Sequence, residues 1–259
     1  MSSRQNLFRC NAACSASVKR PPAACRESDK NAHSCGRWQI QLLCQITGGD
    51  TMPNNSGLRA KLAAQYPRYR NWEVFKIFES ELANVSRYIA ICEDNFPTYS
   101  AELSSLLLRI CAEIEIVRNR MTNVKDNNRK ASNKLTAEFP EIVEVRARLP
   151  LWELEFCPWS SLPENKPDWW KAYGNIKHDN YSSTVSGNLE CFLKSLSALY
   201  VLFIYYDKLV YSYKDADDND CVSFEYSTII SSYFKIKHSK ITLDFSFYGE
   251  NIPILTWKK

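Results

Sequence analysis

The run Ser195-Leu196-Ser197-Ala198-Leu199-Tyr200-Val201-Leu202-Phe203-Ile204-Tyr205-Tyr206 carries no charge, with Lys194 before it and Asp207-Lys208 after it. About a dozen residues lie between those charges, fewer than the roughly 20 that a membrane span requires. The run therefore reads as the core of a globular fold. Leu189, Phe192, Leu193, Leu196, Leu199, Leu202, Phe203 and Tyr206 fall at helical spacing, which predicts a helix from about Val185 to Val210. Val201, Ile204 and Tyr205 lie beside that stripe, so the helix is apolar nearly all round. Such a helix has to be surrounded by others, which places it at the centre of a bundle.

The rest of the chain supplies the surrounding helices. Asn71 is a candidate cap for a helix through Ile91, with Val74, Phe75, Phe78, Leu82, Val85 and Ile89 on one face. Asn95-Phe96-Pro97-Thr98-Tyr99 breaks it. Ser100 then caps a second helix whose stripe is Leu103, Leu106, Leu107, Ile110, Ile114, Val117 and Met121, with Glu102 in the first turn where the helix dipole favours an acid. Glu113 lies close to that stripe and needs a partner if buried. A short third helix runs from Ser132 to Phe139 and stops at Pro140. Four prolines between residues 149 and 167 exclude a long helix there, and Val/Ile/Leu alternation predicts a short strand or strand pair followed by an extended loop. Near the end, Phe234, Ile236, Ile241, Leu243, Phe245 and Phe247 alternate with polar residues around His238-Ser239-Lys240, which predicts a β-hairpin with a solvated histidine at its tip. The expected fold class is mainly α: a bundle of four to five helices over residues 71–212, a polar arm over 52–70, and a small C-terminal β-hairpin appendage over 221–259.

Residues 1–51 are of another character. They hold five of the ten cysteines, and seven Lys/Arg against three Asp/Glu, which leaves 26 against 26 in the remainder. The whole excess of +4 thus belongs to this leader, and the basic balance is no argument for a nucleic-acid-binding core. No stretch in the leader forms the apolar region of a secretory signal. Cys10, Cys14, Cys25, His33 and Cys35 lack a CxxC pair and match no common zinc spacing, so no metal is expected. Thr47-Gly48-Gly49-Asp50-Thr51-Met52 back-translates to a purine-rich stretch ahead of an ATG, so we expect translation to start at Met52 and residues 1–51 to be a disordered or untranslated leader. Cys92, Cys111, Cys157, Cys191 and Cys221 are scattered through apolar patterns, as reduced thiols of a cytoplasmic protein are. Asp215-Ala216-Asp217-Asp218-Asn219-Asp220 begins like a calcium loop, but Asp220 stands where glycine is needed and Tyr226 where an acid is needed, so it reads as a linker.

The segment with the most chemistry is Asp168-Trp169-Trp170-Lys171-Ala172-Tyr173-Gly174-Asn175-Ile176-Lys177-His178-Asp179. It follows Pro167, with Asp168 as the expected cap. On a helix, Trp169, Ala172, Tyr173 and Ile176 share one face, and Lys171, Asn175 and His178 share the opposite one. An anchored cation, amide and imidazole on one stripe suit a phosphate ester: the cation and amide hold its oxygens, and the imidazole titrates near neutrality and moves a proton. Gly174, a costly residue in a helix interior, leaves room for close approach.

Trp169 to Asp179, ahead of a long apolar helix and preceded by Asn95-Phe96-Pro97-Thr98-Tyr99-Ser100 and Glu113-Ile114-Glu115, resembles bacterial members of the HEPN superfamily over roughly residues 70–212. That resemblance implies an all-α bundle that dimerises through its motif-bearing helices. It also implies a metal-independent ribonuclease, or an RNA-binding relative, of a toxin–antitoxin or antiphage system. In catalytic members four to six residues separate an arginine from the histidine that follows it. Here His178 supplies the histidine, and the window holds Tyr173, Ala172 and Lys171. Lys171 keeps the charge without the planar fork of a guanidinium. The resemblance thus assigns catalysis to His178, Lys171 and Asn175 and substrate contact to Lys177, Tyr173 and Gly174. It implies no cofactor and no metal, and as partners a second copy, RNA, and an antitoxin or defence protein, with no membrane.

The same residues also suit a structural role, with His178 bonded to Glu113 or Glu115 and the aromatics as anchors. The second functional reading is therefore a non-catalytic helical interaction module. A small-molecule enzyme is disfavoured, since no nucleotide loop, nucleophile motif or metal set is present.

Overall fold

In the computed structural model, residues 56–65, 68–125, 127–178, 184–223, 231–247 and 251–259 are described. The chain divides into two units, 1–48 and 49–259, and every described residue belongs to the second. The expectations for the leader, and for the turn at Asp179–Ser183, lie outside the described residues.

Six α-helices occur among the described residues: α1 (Ser56–Gln65), α2 (Arg68–Val85), α3 (Ala101–Thr122), α4 (Asn128–Glu138), α5 (Asp168–His178) and α6 (Leu189–Tyr211). The fold is mainly α, and α6 is its axis. Helices α1, α2, α3 and α5 all pack on α6, while α4 packs on α3. By length and composition α6 could cross a membrane, yet nearly all of its apolar window is buried inside the protein. It is the core helix that its all-round apolarity requires.

Local chemistry sets where these helices begin and end. The Ser100 hydroxyl accepts from the Leu103 amide at 3.0 Å, and α3 ends where Asn123 turns left-handed at φ 51°. All seven expected stripe residues of α3 are buried. Asn188 caps α6 by accepting from the Cys191 amide at 2.9 Å. Helix α6 therefore starts four residues later than the periodicity predicts, because Thr184–Ser186 forms a 3-10 turn. Asn127, not Ser132, opens the next helix, accepting from the Lys130 amide at 2.8 Å.

Two expectations at the N-terminal side are corrected. The stretch expected as a polar arm contains α1, whose Arg59 donates to the Leu209 carbonyl at 2.6 Å and the Ser212 hydroxyl at 2.8 Å. A guanidinium there serves the carbonyls and the negative pole at the end of α6. Asn71 is not a cap; it is buried inside α2, which stops at Val85 rather than Ile91.

Among the described residues the strands form two small antiparallel sheets. The expected pair β1 (Arg146–Leu149) and β2 (Leu154–Phe156) forms with Ala147 opposite Phe156, and β5 (Lys235–Lys237) adds to the free edge of β1 with Ile236 opposite Ala147. The other sheet, in the order β3 (Tyr213–Lys214), β4 (Asp220–Ser223), β7 (Asn251–Trp257) and β6 (Ile241–Phe247), follows the end of α6. The hairpin thus joins β6 to β7, and β5 crosses to the other sheet instead of pairing along β6. Nor is the C-terminal segment an appendage. Phe234 is fully buried against Phe75 and Tyr200, with ring centroids 5.7 and 5.5 Å away, and Trp257 meets the edge of Tyr205 at 6.2 Å.

A buried carboxylate ties this return to α2. Glu79 accepts from the Ser231 hydroxyl and from the Tyr233 amide at 3.3 Å, while Ser231 accepts from the Phe234 amide at 2.7 Å. Burial lifts the Glu79 carboxyl above its ordinary 4.5, although the bonds from Ser231, Tyr233 and Ser232 oppose that rise. The folded protein therefore holds this proton to a higher pH than the unfolded chain does. The stability it contributes is full below pH 4.5 and is lost as pH rises through the folded value. Glu79→Gln keeps an acceptor without a charge. It is expected to flatten that fall in stability, measured as denaturant midpoints from acid to neutral pH; an unchanged slope would assign the pH dependence elsewhere.

Candidate functional site

Helix α5 begins where the Pro167 carbonyl accepts from the Trp170 and Lys171 amides, both at 3.0 Å. Pro167 is thus the residue before the first turn, and Asp168, the expected cap, is the first helical residue. Asp168 in the first turn and Lys177 and His178 in the last complement the helix dipole.

One face of α5 is fixed by aromatic packing and hydrogen bonds. The Trp169 indole donates to the Pro158 carbonyl at 2.9 Å, and the Trp159 indole donates to the Ala198 carbonyl on α6 at 3.2 Å. Trp159, Trp169, Trp170 and Tyr173 then form a chain of edge-to-face rings, each pair 5.2–5.5 Å apart. Trp169, Trp170, Ala172, Tyr173 and Ile176 are all buried, so the expected anchor face is present, with Trp170 added to it.

Two of the residues expected to contact substrate belong to this anchor. The Tyr173 hydroxyl donates to Glu115 on α3 at 2.9 Å and accepts from Lys177 at 3.2 Å, and Lys177 lies 3.8 Å from the same carboxylate. Burial raises the Tyr173 phenol above its usual value, and the Lys177 ammonium is held above its own by Tyr173 first and Glu115 next. Tyr173, Lys177 and Glu115 therefore form a lock between α5 and α3, so the two residues expected to contact substrate are both engaged with Glu115 in this structure. Glu115 also takes these two partners in place of His178, which the structural reading had paired with it. The Oε1 atom of Glu113 is buried with no hydrogen-bond partner among the described residues.

Lys171, Asn175 and His178 share the opposite face, and all three are exposed. Seven residues separate the first from the last, about 10 Å of helix axis at 1.5 Å per residue. Lys171 lies 3.2 Å from Asp168 one turn earlier, and Asn175 reaches Ser186 at 3.5 Å. An exposed pair of this kind is worth a fraction of a kcal/mol (~0.2–1), so breaking the Lys171–Asp168 pair costs little. A Cβ built at Gly174 meets no heavy atom within 4 Å, so packing does not require glycine there, and the space beside the stripe is open.

The other motifs resolve into structure. His238 is not solvated: its side chain is 4 % exposed, its Nδ1 accepts from the Lys240 amide at 3.1 Å, and its Nε2 lies 3.5 Å from Glu144. Asp215 closes the β3–β4 turn, accepting from the Asp217 and Asn219 amides at 2.9 Å each and from the Asn219 side chain at 3.1 Å. The bonds from Asn219 hold its carboxyl below the ordinary 3.8. Among the described residues no group of three His, Cys, Asp or Glu side chains is placed to hold a metal.

Sequence reasoning passes over Arg118. The residue is 2 % exposed, and its guanidinium lies 4.8 Å over the Trp170 ring and donates through Nη2 to Asn128. The signal was available: Arg118 stands four residues after Ile114 and three before Met121, on the buried stripe of α3.

With this geometry in place, no family model, curated protein or solved structure matches the chain.

Proposed function

We propose that the chain is a HEPN-like helical protein of a bacterial toxin–antitoxin or antiphage system, cytoplasmic and dimeric, that binds RNA along the exposed stripe of α5 and cleaves it without metal. The observation that carries this reading is that Lys171, Asn175 and His178 share one exposed face of a helix whose opposite face is anchored. In the reaction an RNA 2′-hydroxyl attacks the adjacent phosphorus in line, the bond to the 5′-oxygen breaks, and a cyclic phosphate forms. His178 takes the proton from the attacking hydroxyl or gives one to the leaving oxygen. One imidazole does not do both in a single step, so a second copy packed across α5 supplies the other. Lys171 and Asn175 stabilise charge on the phosphate oxygens.

A specific observation favours a second reading, a non-catalytic interaction module. The positions separated from His178 by four to six residues hold Tyr173, Ala172 and Lys171 and no arginine, and Tyr173 is already engaged with Glu115. Incubation of the full-length chain with cellular RNA, against His178→Ala, separates the two. Loss of the proton-transfer group is expected to slow RNA decay by about 10²–10⁴-fold. Equal decay from both proteins would leave the second reading.

A further inference from the structure

We propose that the cavity between α3, the start of α4, the 159–167 loop and Trp170 of α5 binds a small organic phosphate, with Arg118 in its lining. The cavity has a volume of about 240 Å³. Arg118, buried within it, has an Nε that is also buried and has no hydrogen-bond partner among the described residues. A guanidinium out of water and without a carboxylate partner is a cost to the fold, and such groups are normally paired. Burial pulls its pKa below the usual arginine value, opposed by the field of Glu115. That carboxylate is held by Tyr173 and Lys177, and no carboxylate lies within ion-pair distance of Arg118 among the described residues. Arg118 lines the cavity without a carboxylate partner, and an anion seated there would offset its charge.

The rim fits the same chemistry. Asn128 and Arg129 are the first two residues of α4, whose opening amides and dipole favour negative charge. Arg129 and Lys166 line the cavity from opposite elements, against one carboxylate, Glu164. Three cations and the amides at a helix start offer more donors than one carboxylate ligand uses, which favours phosphate. The indole of Trp170, beneath Arg118, gives the organic part an apolar wall. This site is independent of the α5 stripe: its cavity includes none of Lys171, Asn175 and His178, and it stands or falls without RNA.

Calorimetric titration of the full-length chain with phenyl phosphate and with benzoate tests it. Phenyl phosphate is expected to bind saturably, one per chain, and more tightly than benzoate. Arg129→Ala is expected to weaken it about tenfold, as loss of one charged hydrogen bond does. Arg118→Met is expected to abolish binding while leaving the urea midpoint of the free protein equal or higher, because a buried unpaired charge is removed. Absence of saturable phenyl phosphate binding would overturn the proposal, as would tighter binding of benzoate. Should Arg118→Met fail to fold, Arg129→Ala decides: an unchanged affinity overturns the site.

Discussion

Trp72→Ala is expected to cost most of the protein's stability. The indole is buried on α2 and meets Phe75, Tyr200 and Phe203 edge-on at 5.8, 6.1 and 6.0 Å. Its Nε1 donates to Asp207 on α6 at 2.9 Å, and Asp207 is 0 % exposed. Truncation leaves a cavity worth about 3–5 kcal/mol, and taking a donor from a buried carboxylate adds roughly 1–3 kcal/mol. Since whole domains are stable by only about 5–15 kcal/mol, the variant is expected to unfold at a far lower urea concentration than the wild type. Trp72→Phe separates the two contributions, keeping most of the ring and losing the bond. A Trp72→Phe midpoint equal to wild type would show that the bond to Asp207 contributes nothing.

Gly187→Ala is the second large effect. A Cβ there would stand 1.9 Å from the Ser104 hydroxyl oxygen and 2.8 Å from the Ser104 Cα. The hydroxyl could swing away, but the backbone of α3 could not. The close approach holds the starts of α3 and α6 together, with the Leu189 amide donating to Thr98 at 2.8 Å and the Glu190 amide to Phe96 at 3.3 Å. Overpacking of this kind costs about 1–3 kcal/mol, and Ser104→Ala in the same chain is not expected to restore it, because the Cα remains. Full recovery in the double variant would place the conflict in the hydroxyl alone.

How much of this was legible in the sequence depended on whether the signal was local. The stripe of α3 and the Ser100 cap could be read because both are written in spacing and residue type. The two faces of α5 were legible for the same reason. The start of α6 was misplaced although Ser186-Gly187-Asn188 is a turn-and-cap signal; the apolar periodicity running through Val185 masked it. Helix α1 was missed because its apolar residues form no clear stripe, and its place depends on Arg59 meeting the end of a helix about 150 residues away. Partner choice among strands is not local either: alternation marked β5 and β6, but only the tertiary fold sends β5 to β1. At the candidate site, spacing put Lys171, Asn175 and His178 on one face. It could not show that Tyr173 and Lys177 are held by Glu115, 58 and 62 residues earlier in the chain.

The central claim is that an RNA phosphodiester lies along the exposed stripe of α5. Fluorescence anisotropy of a labelled single-stranded RNA, titrated with the full-length chain and with Lys171→Glu at several salt concentrations, tests it most directly. Lys171 is exposed and pairs with Asp168 one turn away, so charge reversal is expected to leave the fold intact. Affinity is expected to fall about tenfold or more with a shallower salt dependence, as loss of a phosphate contact requires. Equal affinity and an equal salt slope in the two proteins would contradict the claim.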